Sequence, residues 1–343
     1  MLGQILELNI FGIEIRISSE ESPVIRDLER DFLFFKTDGA GGARKRIDLA
    51  IHMEAFDRSS LPELQSIGLT PRNYFYGEGD LLYADYFGKA FTVYDRRMRN
   101  MDVYTKSRSM AYEIVYLFVL SQAGIHLDSI GMHRVHGLGF GYRGSGALLL
   151  LPSGGGKSTH AFKLLKNPEV KILSEDSPVL DRACQMHPFP MRIGINPEEI
   201  GESVSPDHVR TIERMEFPPK TVIDFSWFRD RIETEAIKLN MIFIGKRFLG
   251  RHSRIRRAGC LKGFRALLTK LVIGIGLYQG LEYLMHRGLW SAVNLMPYFF
   301  RRLRLAMKLS WRVPIYFCEM GSDIDLNIQT LVGFLESRED ASR

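Results

Sequence analysis

The run Leu151-Pro152-Ser153-Gly154-Gly155-Gly156-Lys157-Ser158-Thr159 is the stretch best suited to chemistry. Holding a phosphate needs several backbone N–H groups turned toward one anion, and glycine tolerates the tight, positive-φ backbone this takes. Gly154, Gly155 and Gly156 supply that turn, and a helix starting behind them adds the positive end of its dipole. Lys157 would reach β- and γ-phosphate oxygens, and the Ser158 hydroxyl would complete the shell of a Mg²⁺ ion. Ser153 to Thr159 are therefore the candidate nucleotide-binding residues. The spacing follows G-x-x-x-x-G-K-[ST] except that Leu151 stands where the first Gly belongs. A flexible turn is the bland alternative, but a strand of apolar residues precedes the loop and an amphipathic helix follows it.

Two further elements belong with the loop. The apolar segment Ile172-Leu173-Ser174 ends in the adjacent acids Glu175 and Asp176. At the C-terminal edge of a parallel sheet, one carboxylate can hold Mg²⁺ directly or through water. Its neighbour, pointing differently, could take a proton from an attacking hydroxyl; a solvated acidic turn is the other reading. His136, on the preceding strand, would come to the same sheet edge, unless it is simply a satisfied strand-end histidine. His133, three residues earlier, should face the opposite way by strand alternation.

These residues in this order resemble the catalytic core of HPr kinase/phosphorylase, best matched by the HPr-kinase-related proteins. The likeness covers residues 133 to 181: His136-Gly, a strand, a turn, an apolar strand, the Ser-Gly-x-Gly-Lys-Ser loop, a helix, then Ser-Glu-Asp. It implies an α/β fold with a P-loop kinase core of the phosphoenolpyruvate carboxykinase-like type. It also implies ATP and Mg²⁺ as cofactors, with Ser158 and Asp176 on the metal, Glu175 as base on a substrate hydroxyl and His136 beside that base. Glu175 stands where the family has Asp, and no copy of the family's later signature for the reverse reaction is found. The expected activity is ATP- and Mg²⁺-dependent phosphoryl transfer to a serine hydroxyl of a protein, peptide or small molecule. The alternative is a nucleotide-binding NTPase or ATP-gated module without an acceptor.

The elements that must position these residues follow from periodicity. Residues 1–125 read as a β-rich region closed by a helix over 109–123 that stops at Gly124. ILELNIFGIEIRI, DFLFFKT, RIDLAIHMEAF and KAFTVYD read as strands. Residues 126–343 read as the nucleotide-binding domain. There HRVHGLGF, ALLLLP, VKILSED, PFPMRIGI, LNMIFIG and IYFCEM read as strands, 257–311 as helical, and DLNIQTLVGFLESR as a closing helix. Arg192 and Lys220 have weaker claims on a phosphate. His160 and His187 have no acid or Cys at ligand spacing, so zinc is not expected.

With 343 residues and 45% hydrophobic composition, the chain can bury a sizeable core. Its 3 cysteines have no CxxC spacing, which fits a reducing, cytoplasmic setting. No run of about 18 apolar residues is seen, and 271–285 reads as a core or interfacial helix. The net charge of +6 is uneven: 246–312 carries 15 Lys or Arg against Glu282 alone. That block suits an acidic partner or an anionic membrane surface, or is a solvated helical face. The missing aromatic interleaving along Arg251–Arg257 argues against nucleic acid. Oligomeric state is left open, a homo-oligomer included.

Overall fold

The structure, a computed structural model, describes residues 3–38, 45–152, 154–201, 204–273 and 289–340. Ser153 lies outside the described residues, as does 271–285 beyond Ile273. The chain is mixed α/β and divides into two units. The first holds the residues up to Leu127, Thr211–Lys220 and a segment ending at Met296; the second begins at Asp128 and holds the rest.

In the first unit, β1 (Gln4–Ile10), β2 (Ile13–Ser19), β3 (Lys45–His52), β4 (Gly68–Leu69), β5 (Tyr74–Glu78), β6 (Leu81–Asp85), β7 (Ala90–Asp95) and β8 (Asn100–Thr105) form one sheet. Its order is β1-β2-β3-β8-β7-β6-β5-β4, with β3 parallel to both of its neighbours. Alternation sets the faces: Leu6, Leu8, Ile10, Ile15 and Ile17 are buried, while Glu7 and Arg16 meet on the wetter side.

Two expectations fail here for physical reasons. DFLFFKT is not a strand. Helix α1 (Ser22–Asp31) starts with Pro23 in its first turn, buries Val24, Ile25 and Leu28, and leads into a 3₁₀ turn over Leu33–Phe35. Helix α2 (Arg108–Ile130) does not stop at Gly124 but at Gly131, whose φ is +82°. Ala123 and Leu127 are fully buried, and that packing outweighs the roughly 1 kcal/mol a mid-helix glycine costs. By length and mean hydropathy, 1.3, α2 could cross a membrane; 72% of that window is buried in the protein, as in a core helix.

The second unit carries β9 (His133–Arg134), β10 (Leu138–Tyr142), β11 (Ser145–Leu150), α3 (Lys157–Leu164), β12 (Val170–Ser174), β13 (Val179–Leu180) and β14 (Gln185–His187). After these come β15 (Arg192–Gly194), α4 (Pro197–Ile200), β16 (Val209–Ile212), whose last two residues belong to the first unit, β17 (Lys220–Asp224), in this unit from Thr221, and β18 (Ile237–Arg247). The chain closes with β19 (Arg254–Arg257), α5 (Cys260–Leu267), α6 (Leu289–Arg312), β20 (Ile315–Met320) and α7 (Ile324–Asp340).

The main sheet runs β12-β10-β11-β18-β14-β13-β9, with β20 beside β18 and β19 beside β20. β10 is antiparallel to both β11 and β12, so those two point the same way; β11, β18 and β20 are parallel. The C-terminal ends of β11 and β12 and the start of β10 therefore share one sheet edge. HRVHGLGF is two strands rather than one, and His136 lies in the break between them.

The basic block is not one solvated face. Arg254–Arg257 forms edge strand β19, where Arg256 pairs with Glu319. Arg302 is 3% exposed and holds both oxygens of Asp128 at 3.0 and 2.9 Å, while His133 Nδ1 lies 2.7 Å from the same carboxylate. Burial alone would raise the Asp128 pKa, but the His133 hydrogen bond and the Arg302 guanidinium outweigh it and hold it below the usual value. Arg302 also donates to the Leu271 carbonyl at 2.8 Å, tying α6 to the segment before it. Asp128→Ala should therefore cost about 3–5 kcal/mol, because Arg302 is left charged in the core. A urea midpoint within error of wild type would contradict this.

Candidate active site

β11 is an apolar run, with Ala147, Leu148, Leu149 and Leu150 all buried, so the chain leaves the sheet core only at its C-terminal edge. Leu151, the departure from the loop pattern, has a packing reason. A Cβ built on Gly245 of β18 would lie 2.2 Å from a Leu151 methyl, so the leucine fills the space that glycine leaves. The loop glycines are each required. Gly154 and Gly156 have φ of +70° and +79°, and a Cβ on Gly155 would lie 2.8 Å from the Pro152 carbonyl that its N–H binds. Gly156 caps α3, so the free N–H groups of the first helical turn face the loop.

The side chains gather at that edge. Lys157 Nζ lies 2.9 Å from His136 Nε2 and 3.7 Å from Asp176 Oδ1, and both Lys157 and His136 are buried. An ammonium can only donate, so His136 Nε2 accepts and the proton of the neutral ring sits on Nδ1. Nδ1 lies 3.2 Å from Asp176 Oδ1, in ion-pair range but not aligned for a hydrogen bond. The Gly137 N–H donates to the Asp176 carbonyl at 3.0 Å, which fixes the break in HRVHGLGF against the end of β12. Separately, the Ser158 hydroxyl donates to Glu175 Oε1.

The pairing differs from the one the resemblance implies. His136 was expected beside Glu175, and Asp176 with Ser158 on the metal; instead His136 and Lys157 meet Asp176, and Ser158 meets Glu175. The reason is reach. Glu175, one methylene longer than Asp, extends inward to the helix start and is buried, whereas the Asp176 side chain is 47% exposed at the rim. Thr159 is buried in the first turn of α3.

Among the described residues no three His, Cys, Asp or Glu side chains stand together as a complete metal cage. Mg²⁺ does not need one: it keeps several waters and takes one or two carboxylates with substrate phosphates. A hydroxyl and a carboxylate already in contact, Ser158 and Glu175, with Asp176 nearby, are the hard oxygen donors that ion prefers. The residues present fit the group.

Two residues of the site were not singled out in the sequence. Lys270 follows α5, its carbonyl accepts from the His136 N–H at 3.2 Å, and its ammonium senses both Lys157 and Asp176. Burial and then Lys157 lower its pKa, against the pull of Asp176. Only its membership of a basic block hinted at it. His160, set aside for lack of a partner acid, donates from Nδ1 to the Gly156 carbonyl at 2.7 Å and so ties α3 to the loop. Among the described residues its Nε2 is buried without a hydrogen-bond partner, and burial lowers its pKa from the usual 6.5, against the Gly156 hydrogen bond, with Lys163 helping and Glu199 opposing. His187 also has a partner, Asp181 at 3.0 Å across the β13–β14 turn. Arg192 lies on β15, which packs against α3, and Lys220 opens β17.

The His160 geometry sets a pH dependence. With its folded pKa depressed, the unfolded chain takes the proton first. Stability should then fall as pH drops from about 6.5 toward the folded pKa, and level off below it. Urea midpoints of wild type should drop over that window more steeply than those of His160→Asn. Parallel slopes would remove His160 from the account. No protein-family model matches this chain, and no curated protein matches it.

Proposed function

We propose that the chain is an ATP- and Mg²⁺-dependent phosphotransferase acting on a hydroxyl acceptor. Its second unit would be a P-loop kinase core of the HPr kinase and phosphoenolpyruvate carboxykinase-like type. One observation carries the reading most: His136, Lys157 and Asp176 meet beside the Ser158–Glu175 pair at the edge where the glycine loop begins α3. A nucleotide-hydrolysing or nucleotide-sensing module needs the loop, the lysine and a metal-side acid. It does not need a histidine brought in on a separate segment and set against a second carboxylate at the exposed rim.

In this reading Gly154 to Ser158 bind the phosphates through backbone N–H groups, and Lys157 exchanges His136 for phosphate oxygens. Ser158 and Glu175 hold the metal, which neutralises charge on the phosphates when bound. Asp176, half open to solvent, is where an incoming hydroxyl can reach a base. His136 Nδ1 lies 3.2 Å from that carboxylate, close enough to stabilise its charge electrostatically. The hydroxyl oxygen bonds to the transferred phosphorus as the bond to the leaving nucleotide breaks, and Asp176 takes the hydroxyl proton.

The test is incubation with Mg·ATP labelled in the γ-phosphate, with and without hydroxyl acceptors: serine-bearing proteins, serine peptides and small alcohols. Label on an acceptor hydroxyl supports the proposal. Label released only as inorganic phosphate favours the hydrolytic reading, and no nucleotide binding by calorimetry rejects both.

A further inference from the structure

Helix α6 is apolar on two opposite sides. Its inner side buries Leu305, Ala306 and Leu309 in the core of the second unit. Its outer side leaves Phe300 50%, Met307 42% and Trp311 82% exposed. At 3.6 residues per turn these three fall within about 40° of one another, in a stripe along the helix. Core packing explains the inner side and leaves the outer side without a partner among the described residues. Single exposed apolar residues need no explanation, but a stripe of aromatic and Met side chains does.

The charges beside the stripe point to its occupant. Arg304 is exposed on the same side of α6, and Arg312 follows Trp311 at the end of the helix. There the surface dips into an open cleft of about 560 Å³ rimmed by Arg257, Trp311 and Arg312 and containing Cys260, and no acid among the described residues lines it. Leu261, next to Cys260, is 83% exposed. Glu319, on the strand beside β19, is already paired with Arg256.

We propose that this face docks on an anionic membrane surface, with the outer stripe of α6 in the headgroup boundary and the cleft cations on lipid phosphates. An acidic peptide would satisfy Arg257, Arg304 and Arg312 but leave Phe300, Met307 and Trp311 in water. A bilayer interface takes both: apolar side chains enter the acyl boundary, Trp favours headgroup depth, and Arg meets anionic lipid. This face is separate from the residues assigned to phosphoryl transfer, so the inference stands or falls independently of that assignment.

The experiment is co-sedimentation of the full chain with phosphatidylglycerol/phosphatidylcholine vesicles and with phosphatidylcholine alone. Binding is expected to the anionic vesicles only, and it should fade as salt rises toward 1 M, where screening acts within about 3 Å. Arg304→Gln with Arg312→Gln should weaken it about 25-fold, near fivefold per cation lost. Phe300→Ser with Trp311→Ser should weaken it by about tenfold or more at low salt. Unchanged urea unfolding midpoints and far-UV circular dichroism show that both variants are folded. Three results would overturn the proposal: no sedimentation with anionic vesicles, sedimentation indifferent to both variants, or self-association abolished by Trp311→Ser without vesicle binding. Binding to polyglutamate that ignores the apolar variants, with vesicles unbound, would assign the face to an acidic protein instead.

Discussion

Replacing Lys157 with Met should reduce phosphoryl transfer by roughly 10²–10³ or more while leaving the fold in place. The first half rests on position: Lys157 Nζ stands at the start of α3 among His136 and Asp176, where charge on a transferring phosphoryl group would be met. Removing one preorganised donor from such a site costs about that factor. The second half rests on burial. Lys157 is 8% exposed, and desolvating an ammonium opposes folding, while methionine fills the same channel with an apolar chain. Asp176, half open to water, loses little when its 3.7 Å neighbour goes. Single-turnover transfer from γ-labelled ATP and a urea midpoint, measured on one preparation, check both halves. A near-normal rate would sink the kinase reading, and a large loss of stability would instead make Lys157 a structural cation.

Much of the second unit was legible because its signals are local. The apolar run to Leu151, the three glycines and the 3.6-period segment behind them describe a strand, a loop and a helix, and β11 and α3 take those places. The acids after Ile172-Leu173-Ser174 stand at the end of β12 for the same reason. The first unit was less legible just past α1, where Phe32, Leu33, Phe34 and Phe35 suit a strand by composition but lead through a 3₁₀ turn. What decides there is Pro23 and the one-faced spacing of Val24, Ile25 and Leu28.

What could not be read is what depends on side chains meeting from distant segments. Nothing near His133 and Asp128, five residues before it, says that Arg302 will share a buried site with them. Nothing near Lys270 says that it will join Lys157, and the +14 balance of its neighbourhood conceals that its members have different tasks. One sits in the core, one in the candidate active site, one on Glu319, and others on the outer side of α6. Leu151 is a similar case, for its tolerance depends on Gly245 of the paired but sequence-distant strand β18.

The acid pair is where sequence and geometry give different answers, and the two variants Glu175→Gln and Asp176→Asn should separate them. If Glu175 works with Ser158 on the metal, Glu175→Gln should raise the Mg²⁺ concentration needed for half-maximal rate. If Asp176, with His136 3.2 Å away, takes the hydroxyl proton, Asp176→Asn should cut turnover by roughly 10²–10⁴ with the Mg²⁺ requirement nearly unchanged. The opposite pattern would restore the roles implied by the family resemblance, and equal responses would mean that both acids share the metal. The readout is a Mg²⁺ titration of single-turnover rate, because an activity loss alone cannot tell a missing base from a missing ligand. The expected direction follows from the extra methylene: a glutamate reaches inward to the hydroxyl at the helix start, and that leaves the shorter, more exposed aspartate at the rim where an acceptor must enter.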